Sequence, residues 1–214
     1  MKKVMIFAFA LLAMVACKKN DNENAIYNGP DLQIFQFRGP VEQVEMKRLV
    51  FPEGTVYQEG EIPEGEWVTY TTMKFDEKGY LTEYTTKEGK YELSRPDDKT
   101  LVMVMTTQSG GESLTKTLTY KQASNGQLDY FEAVYSNGNI ERYTQSYDAE
   151  GYIRYTDITG VYETMPLTGA RVYNYLSFDS HKNWVTCFRN ETISYGTENL
   201  NFDNFYMQDI TYRK

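Results

Sequence analysis

The residues able to do chemistry are few. The chain of 214 residues has one histidine, His181, and two cysteines, Cys17 and Cys187. A serine–histidine–carboxylate relay needs an imidazole to carry the proton. Here it must use His181, which lies beside Lys182 in a turn pattern and suits exposure better than catalysis. Cys187 sits in the strand-like run Trp184-Val185-Thr186-Cys187-Phe188 and reads as a small buried hydrophobe, not as a nucleophile. No HExxH, CxxC or EF-hand spacing occurs, so neither a metal nor another cofactor is expected. Ser109-Gly110-Gly111 is not followed by Gly-Lys-Ser/Thr and reads as a hairpin turn, not a phosphate loop. Carboxylates are the remaining reactive option, since two of them about 5–10 Å apart across a cleft can hydrolyse a glycoside. The acidic residues with apolar strand neighbours are Glu83, Glu132, Glu141 and Asp209. Each reads equally as a solvated side chain or as the partner of a cross-strand Lys or Arg. The acidic loop from Glu59 to Glu66 offers hard oxygens but lacks the spaced Asp/Asn series of a calcium loop. Aromatic rings offer stacking surfaces instead of reactivity: Trp67, Tyr70, Tyr143, Tyr173, Tyr175 and Trp184 are the candidate binding aromatics, and each can equally be sheet packing.

The elements that position these residues read as strands. Aromatics make up 15% of the chain, with 19 Tyr, and Thr is abundant while Ala and Leu are scarce, a mixture that favours strands over helices. Alternating segments recur from Val41–Phe51 to Phe205–Arg213, separated by turn signals such as Pro63-Glu64-Gly65, Lys78-Gly79, Asn125-Gly126, Asn137-Gly138, Glu150-Gly151 and Thr168-Gly169. Leu32–Phe37 reads as an extra edge strand. The expectation is all-β: an antiparallel meander of about 10–12 strands in a curved or rolled sheet, with an open barrel and a sandwich both open as alternatives. In Ala170–Phe178, one face carries Ala170, Val172, Asn174, Leu176 and Phe178, and the other Arg171, Tyr173, Tyr175 and Ser177. This alternation predicts one dry aliphatic face and one half-wet face bearing tyrosine.

One turn unit repeats. Phe75-Asp76-Glu77-Lys78-Gly79-Tyr80-Leu81 aligns without gaps to Tyr147-Asp148-Ala149-Glu150-Gly151-Tyr152-Ile153. It also aligns to Phe178-Asp179-Ser180-His181-Lys182-Asn183-Trp184, where Lys182 replaces the glycine. The aspartates Asp76, Asp148 and Asp179 are expected to accept backbone N–H bonds, and Gly79 and Gly151 to supply a left-handed residue. These units resemble the YD (Rhs-type) repeats that build runs of β-hairpins in bacterial cell-surface proteins. They are also similar to units in small bacterial lipoproteins. The unit is a turn device, so the resemblance implies hairpins and carries little about biochemical function.

The N-terminus reads as an address. Lys2 and Lys3 precede an apolar run, Val4 to Val15, too short for a mature membrane span. It ends in Met14-Val15-Ala16-Cys17, which resembles the lipobox of bacterial lipoproteins, with Met14 where that motif usually has leucine. The resemblance implies a signal peptide over residues 1–16, lipidation (palmitate-type acylation) of Cys17, and a membrane anchor. Residues 17–26 then form a flexible lipidated tether, and residues 27–214 a single β-rich domain. Lys18 is not the aspartate that retains many lipoproteins at the inner membrane, so the expected place is the outer membrane of a Gram-negative bacterium. Loss of Lys2 and Lys3 deepens a formal charge of −8, which argues against nucleic acid as a partner. Three function classes stay open: a non-enzymatic envelope lipoprotein binding a protein or glycan through its Tyr-rich face, an envelope glycoside hydrolase with two carboxylates, and a lipid or lipoprotein carrier with an apolar groove.

Overall fold

A computed structural model describes residues 29–52, 55–57, 61–109 and 112–214. The expected signal, Cys17 and the tether as far as residue 26 lie outside the described residues, as do Gly110, Gly111 and part of the acidic loop. The protein is all-β. A single antiparallel sheet holds thirteen strands: β1 (Val41–Val50), β2 (Glu66–Phe75), β3 (Leu81–Thr86), β4 (Gly89–Lys90), β5 (Glu92–Asp97), β6 (Thr100–Ser109), β7 (Glu112–Gln122), β8 (Leu128–Tyr135), β9 (Ile140–Tyr147), β10 (Ile153–Tyr162), β11 (Met165–Phe178), β12 (Trp184–Tyr195) and β13 (Glu198–Tyr212).

The sheet rolls into a nearly closed barrel. Every strand pairs with its sequence neighbours except at two places. First, β1 pairs with β13, joining the two ends of the domain in the middle of the sheet order. Second, the short β4 pairs with β3, and after Tyr91 the same downward run continues as β5 and pairs with β6. The Tyr91 N–H donates to the Tyr84 carbonyl at 3.0 Å, so this spliced strand closes the ring at its upper end. Lower down, Arg95 bridges the gap by donating to the Leu81 carbonyl at 3.0 Å and to the Asp31 carboxylate.

The expected edge strand at Leu32–Phe37 is a correction. Residues Pro30–Ile34 form a single helical turn, α1. Proline in the first turn, with its fixed φ, favours helix entry. Leu32, Ile34 and Phe37 are almost fully buried, at 0%, 3% and 2% exposure. They pack with Val41, Val44, Met73, Phe75, Leu81, Leu101 and Met103 inside one end of the barrel, which is where the main apolar core sits.

The repeated turn unit explains why that end is plugged. In each unit the aspartate Oδ1 accepts two backbone N–H bonds: Asp76 from Lys78 and Tyr80, Asp148 from Glu150 and Tyr152, and Asp179 from His181 and Asn183, all at 2.8–3.1 Å. The position before the return strand is left-handed in all three, at Gly79 (φ 77°), Gly151 (φ 86°) and Lys182 (φ 63°). Because the sheet is a meander, alternate turns share an end, and these three gather with the 123–127 turn at the same rim. Residues 29–38 cross that rim and bond to each turn in order. Leu32 N–H donates to Gly79 O, the Gln33 side chain to Asn125 O, the Gln36 side chain to Gly151 O, and the Arg38 backbone N–H to Asn183 Oδ1. Asn183 returns a bond from Nδ2 to the Arg38 carbonyl at 2.9 Å. The turn motif thus presents carbonyls to a plug.

Candidate functional site

Beyond the plug the barrel is hollow. Two chambers, of about 270 and 300 Å³, share the wall residues Tyr70, Tyr84, Tyr120, Phe131 and Arg171. The lower chamber rests on Ile34, Phe35, Gln36 and Phe37 of the plug segment. The upper one reaches Thr86, Lys87 and Glu88 at the opposite rim. Each lies at the small end of the range for ligand pockets.

The Tyr-bearing face is the lumen wall, and the aliphatic face expected to be dry is the exposed outer one, which is a correction. On β11, Arg171, Tyr173 and Tyr175 line the lower chamber, whereas Val172 and Phe178 are 49% and 45% exposed on the outside. Barrel closure is the reason: alternate residues of each strand then face a common interior, and on β11 that set is the tyrosine-bearing one. Of the six candidate aromatics, Tyr70, Tyr143, Tyr173, Tyr175 and Trp184 line the chambers. Trp67 does not. It pairs with Leu49, and alternation from the inward Tyr70 places it on the outer face. The outer face there carries its own aromatic patch, where Phe51 and Tyr57 of the segment after β1 meet Phe205 edge-on, with centroids 6.2 and 5.1 Å away.

Rings run through the lumen as a stack. Tyr120 and Phe131 lie 5.3 Å apart at 18°, and Phe131 and Tyr143 lie 4.2 Å apart at 8°. The Arg171 guanidinium sits 4.4 Å from the Tyr143 ring centre, and Arg189 sits 4.5 Å from that of Tyr206. Such contacts add to packing because the ring face attracts a cation. Burial pushes the lumen phenols of Tyr70, Tyr143 and Tyr175 well above their ordinary range, so they are neutral hydrogen-bonding groups and not acids. Burial also raises the Cys187 thiol in the chamber wall to about 12, which removes it as a nucleophile at neutral pH.

The carboxylates singled out from sequence do not converge. Glu83 bonds Lys74 and Lys90 on the outer face, at 2.8 and 2.9 Å, and these hydrogen bonds pull its carboxyl down to about 2. Asp209 pairs with Lys47. Glu132 sits opposite Arg142 in the ladder. Glu141 alone reaches the lumen, where it accepts the Tyr143 hydroxyl at 2.6 Å. His181 stacks on Tyr212 at 4.1 Å, in a shallow cleft at the plugged rim. Among the described residues, no group of three or more His, Cys, Asp or Glu side chains is placed to hold a metal ion.

Sequence reasoning missed the polar centre of the lower chamber. Glu191, 5% exposed, accepts Arg171 at 2.8 Å on Oε1 and Arg189 at 3.0 Å on Oε2. Two buried polar atoms in the same wall have no partner: Arg189 Nε and Gln208 Oε1. Gln208 is 3% exposed. A buried donor and acceptor left unpaired cost about 1–3 kcal/mol each, and native proteins meet that cost with a water or a ligand. The available signal was Arg171, which shares the Tyr173/Tyr175 face.

No protein-family model matches the sequence, and no curated protein matches it. Among solved structures, the chain is similar to a porin-like protein from Bacteroides uniformis ATCC 8492. The two are 12% identical, with a TM-score of 0.32, over 80% of this chain and 98% of that one. A likeness that distant transfers no function.

Proposed function

We propose that the protein is a non-enzymatic lipoprotein of the Gram-negative cell envelope, anchored through Cys17, whose barrel binds a small glycan in its lumen. The observation that carries this reading is the chamber wall itself. Ring faces alternate there with an unpaired buried acceptor, Gln208 Oε1, and an unpaired buried donor, Arg189 Nε. A sugar offers apolar C–H faces to stack on rings and hydroxyls that both give and accept hydrogen bonds. The inward aromatic face favours a small glycan over a protein partner, which has no access to the rings. The buried Arg–Glu–Arg cluster argues against an aliphatic chain as cargo, because lipid would leave those charges without polar surroundings. The hydrolase reading is less well supported: both oxygens of Glu191 are held by guanidinium groups, Glu141 accepts the Tyr143 hydroxyl, and Glu88 stands exposed at the rim.

The outer face supports a tethered barrel standing in water. Membrane-spanning barrels carry an apolar outward band and a polar interior. Here the outward ladder carries the ion pairs Lys47–Asp209, Lys74–Glu83–Lys90 and Lys121–Asp97. The plug also seals one end, which a conducting pore does not allow.

Tryptophan fluorescence tests the reading, because one indole lines the lumen and the other faces out. Titrating the purified protein with mono- and disaccharides is expected to give a saturable change that survives Trp67→Phe and vanishes in Trp184→Phe. A signal unmoved by every sugar at millimolar concentration overturns it.

A further inference from the structure

The lower chamber carries an unbalanced charge. Its wall holds two guanidinium groups, Arg171 and Arg189, and a single carboxylate, Glu191, serves both. A buried ion pair can be held because opposite charges compensate the lost hydration, but a surplus buried charge has no such compensation. The neighbouring charges do not supply it. Glu141 shares the upper chamber with Arg171, but Lys116 stands in the same wall and offsets it, as Lys87 offsets Glu88 at the rim. Arg154 is already paired with Asp148 at 2.7 Å, so that pair is neutral. Arg48 lies close enough to influence Tyr206, and its charge is positive as well. The surplus stands out because the whole chain is acidic, at −8.

From this imbalance we infer that the lumen ligand is a monoanionic sugar, a saccharide bearing one carboxylate, whose negative charge completes the Arg171–Glu191–Arg189 cluster. The inference rests on the glycan reading and narrows its substrate class. Arg189 Nε, buried and unpaired while Nη2 is given to Glu191, is the donor assigned to the ligand carboxylate. Guanidinium suits this role, since its planar set of donors can serve two carboxylates at once. Gln208 Oε1 takes a hydroxyl, and the rings of Tyr173, Tyr175 and Trp184 lie in the same wall for the sugar face.

The test uses two acid–neutral pairs, glucuronate with glucose and galacturonate with galactose. Each is titrated against the full protein carrying Trp67→Phe, so that Trp184 alone reports. At least one acid is expected to bind about tenfold or more tighter than its neutral partner, the size of a charged hydrogen bond. Arg189→Gln is expected to abolish that preference. The variant keeps a one-to-one Arg171–Glu191 pair, and its circular dichroism and melting are expected to match the parent, which separates lost recognition from lost folding. Equal affinity for acid and neutral sugars overturns the inference while leaving the glycan reading intact. A preference that persists in folded Arg189→Gln also overturns it. If none of the four sugars binds, the inference falls and the glycan reading falls with it.

Discussion

The two ends of the barrel are built on opposite principles. At the plugged rim, residues 29–38 thread past four turns and satisfy their carbonyls and amides one after another. Aliphatic and aromatic side chains fill the space behind them. In the lumen the same sheet leaves two chambers, an orphan donor, an orphan acceptor and a surplus guanidinium. One region is closed by packing and backbone hydrogen bonds, with only Arg38 Nε left over among the plug's described side chains, and the other keeps an open chamber beside its unpaired groups. The division teaches where the fold invests its stability and where it leaves room for a partner molecule, and three measurements break or sharpen it.

The largest effect is expected from the plug. Phe37→Ala removes a ring that packs against Phe35 and Phe75. A loss of about 3–5 kcal/mol in urea unfolding is expected, as for other buried aromatics. Arg189→Gln in the lumen is expected to change stability by less than about 1 kcal/mol, because it removes one charge from an overcharged cluster. Equal losses at the two sites erase the contrast.

A smaller effect follows from alkaline titration, because tyrosines occur in both regions and on the outside. Burial and the Asp203 hydrogen bond raise Tyr57 to about 12, and burial raises Tyr91 to the same value. A phenol whose folded pKa lies above its unfolded value of about 10 binds more protons in the native state between the two values. Its contribution is therefore complete below about pH 10 and is lost as pH climbs toward 12. Urea midpoints measured from pH 9 to 11.5 are expected to fall steadily, with native phenolate absorbance lagging behind that of the unfolded chain.

The smallest effect concerns the third turn unit. Lys182 holds φ 63°, where the two sister units use Gly79 and Gly151. A side chain is strained in that region, whereas glycine is not. Lys182→Gly is expected to stabilise by about 0.5–1 kcal/mol, the gain being offset in part by a freer unfolded chain. No gain in the urea midpoint would mean that the left-handed position costs lysine little at this rim.

Much of this fold is legible in the residues. Alternation and Asn-Gly or Asp-x-x-Gly signals place most strands, because two-residue periodicity and left-handed glycine are local properties. The failures are tertiary. Thr168-Gly169 reads as a turn but lies inside β11, and Gly169 is there because a Cβ would come within 2.3 Å of the Thr192 carbonyl. The true reversal is at Glu163 and Thr164, with φ of 47° and 74°, two residue types that advertise nothing. The start of β13 at Glu198, instead of Phe205, escapes notice because Asn199, Asn201, Asp203 and Asn204 are residue types that favour turns, although Leu200 and Phe202 alternate with them. For the site, the aromatic residues stand out in sequence, but which way they point does not. Period-2 patterns assign two faces without saying which becomes concave. Glu191 and Gln208 are visible only after closure, when strands β11, β12 and β13 bring their side chains around one chamber.

The pairing of β1 with β13 has a consequence for biogenesis. Val41 meets Tyr212 across almost the full length of the domain. A nascent chain lacking β13, Glu198–Tyr212, therefore has two bare edges, on β1 and on β12, and edges of that kind recruit other strands. Contacts this distant in sequence also form slowly. The ring can shut only after β13 has been made, so the order of the strands delays closure to the last step of folding.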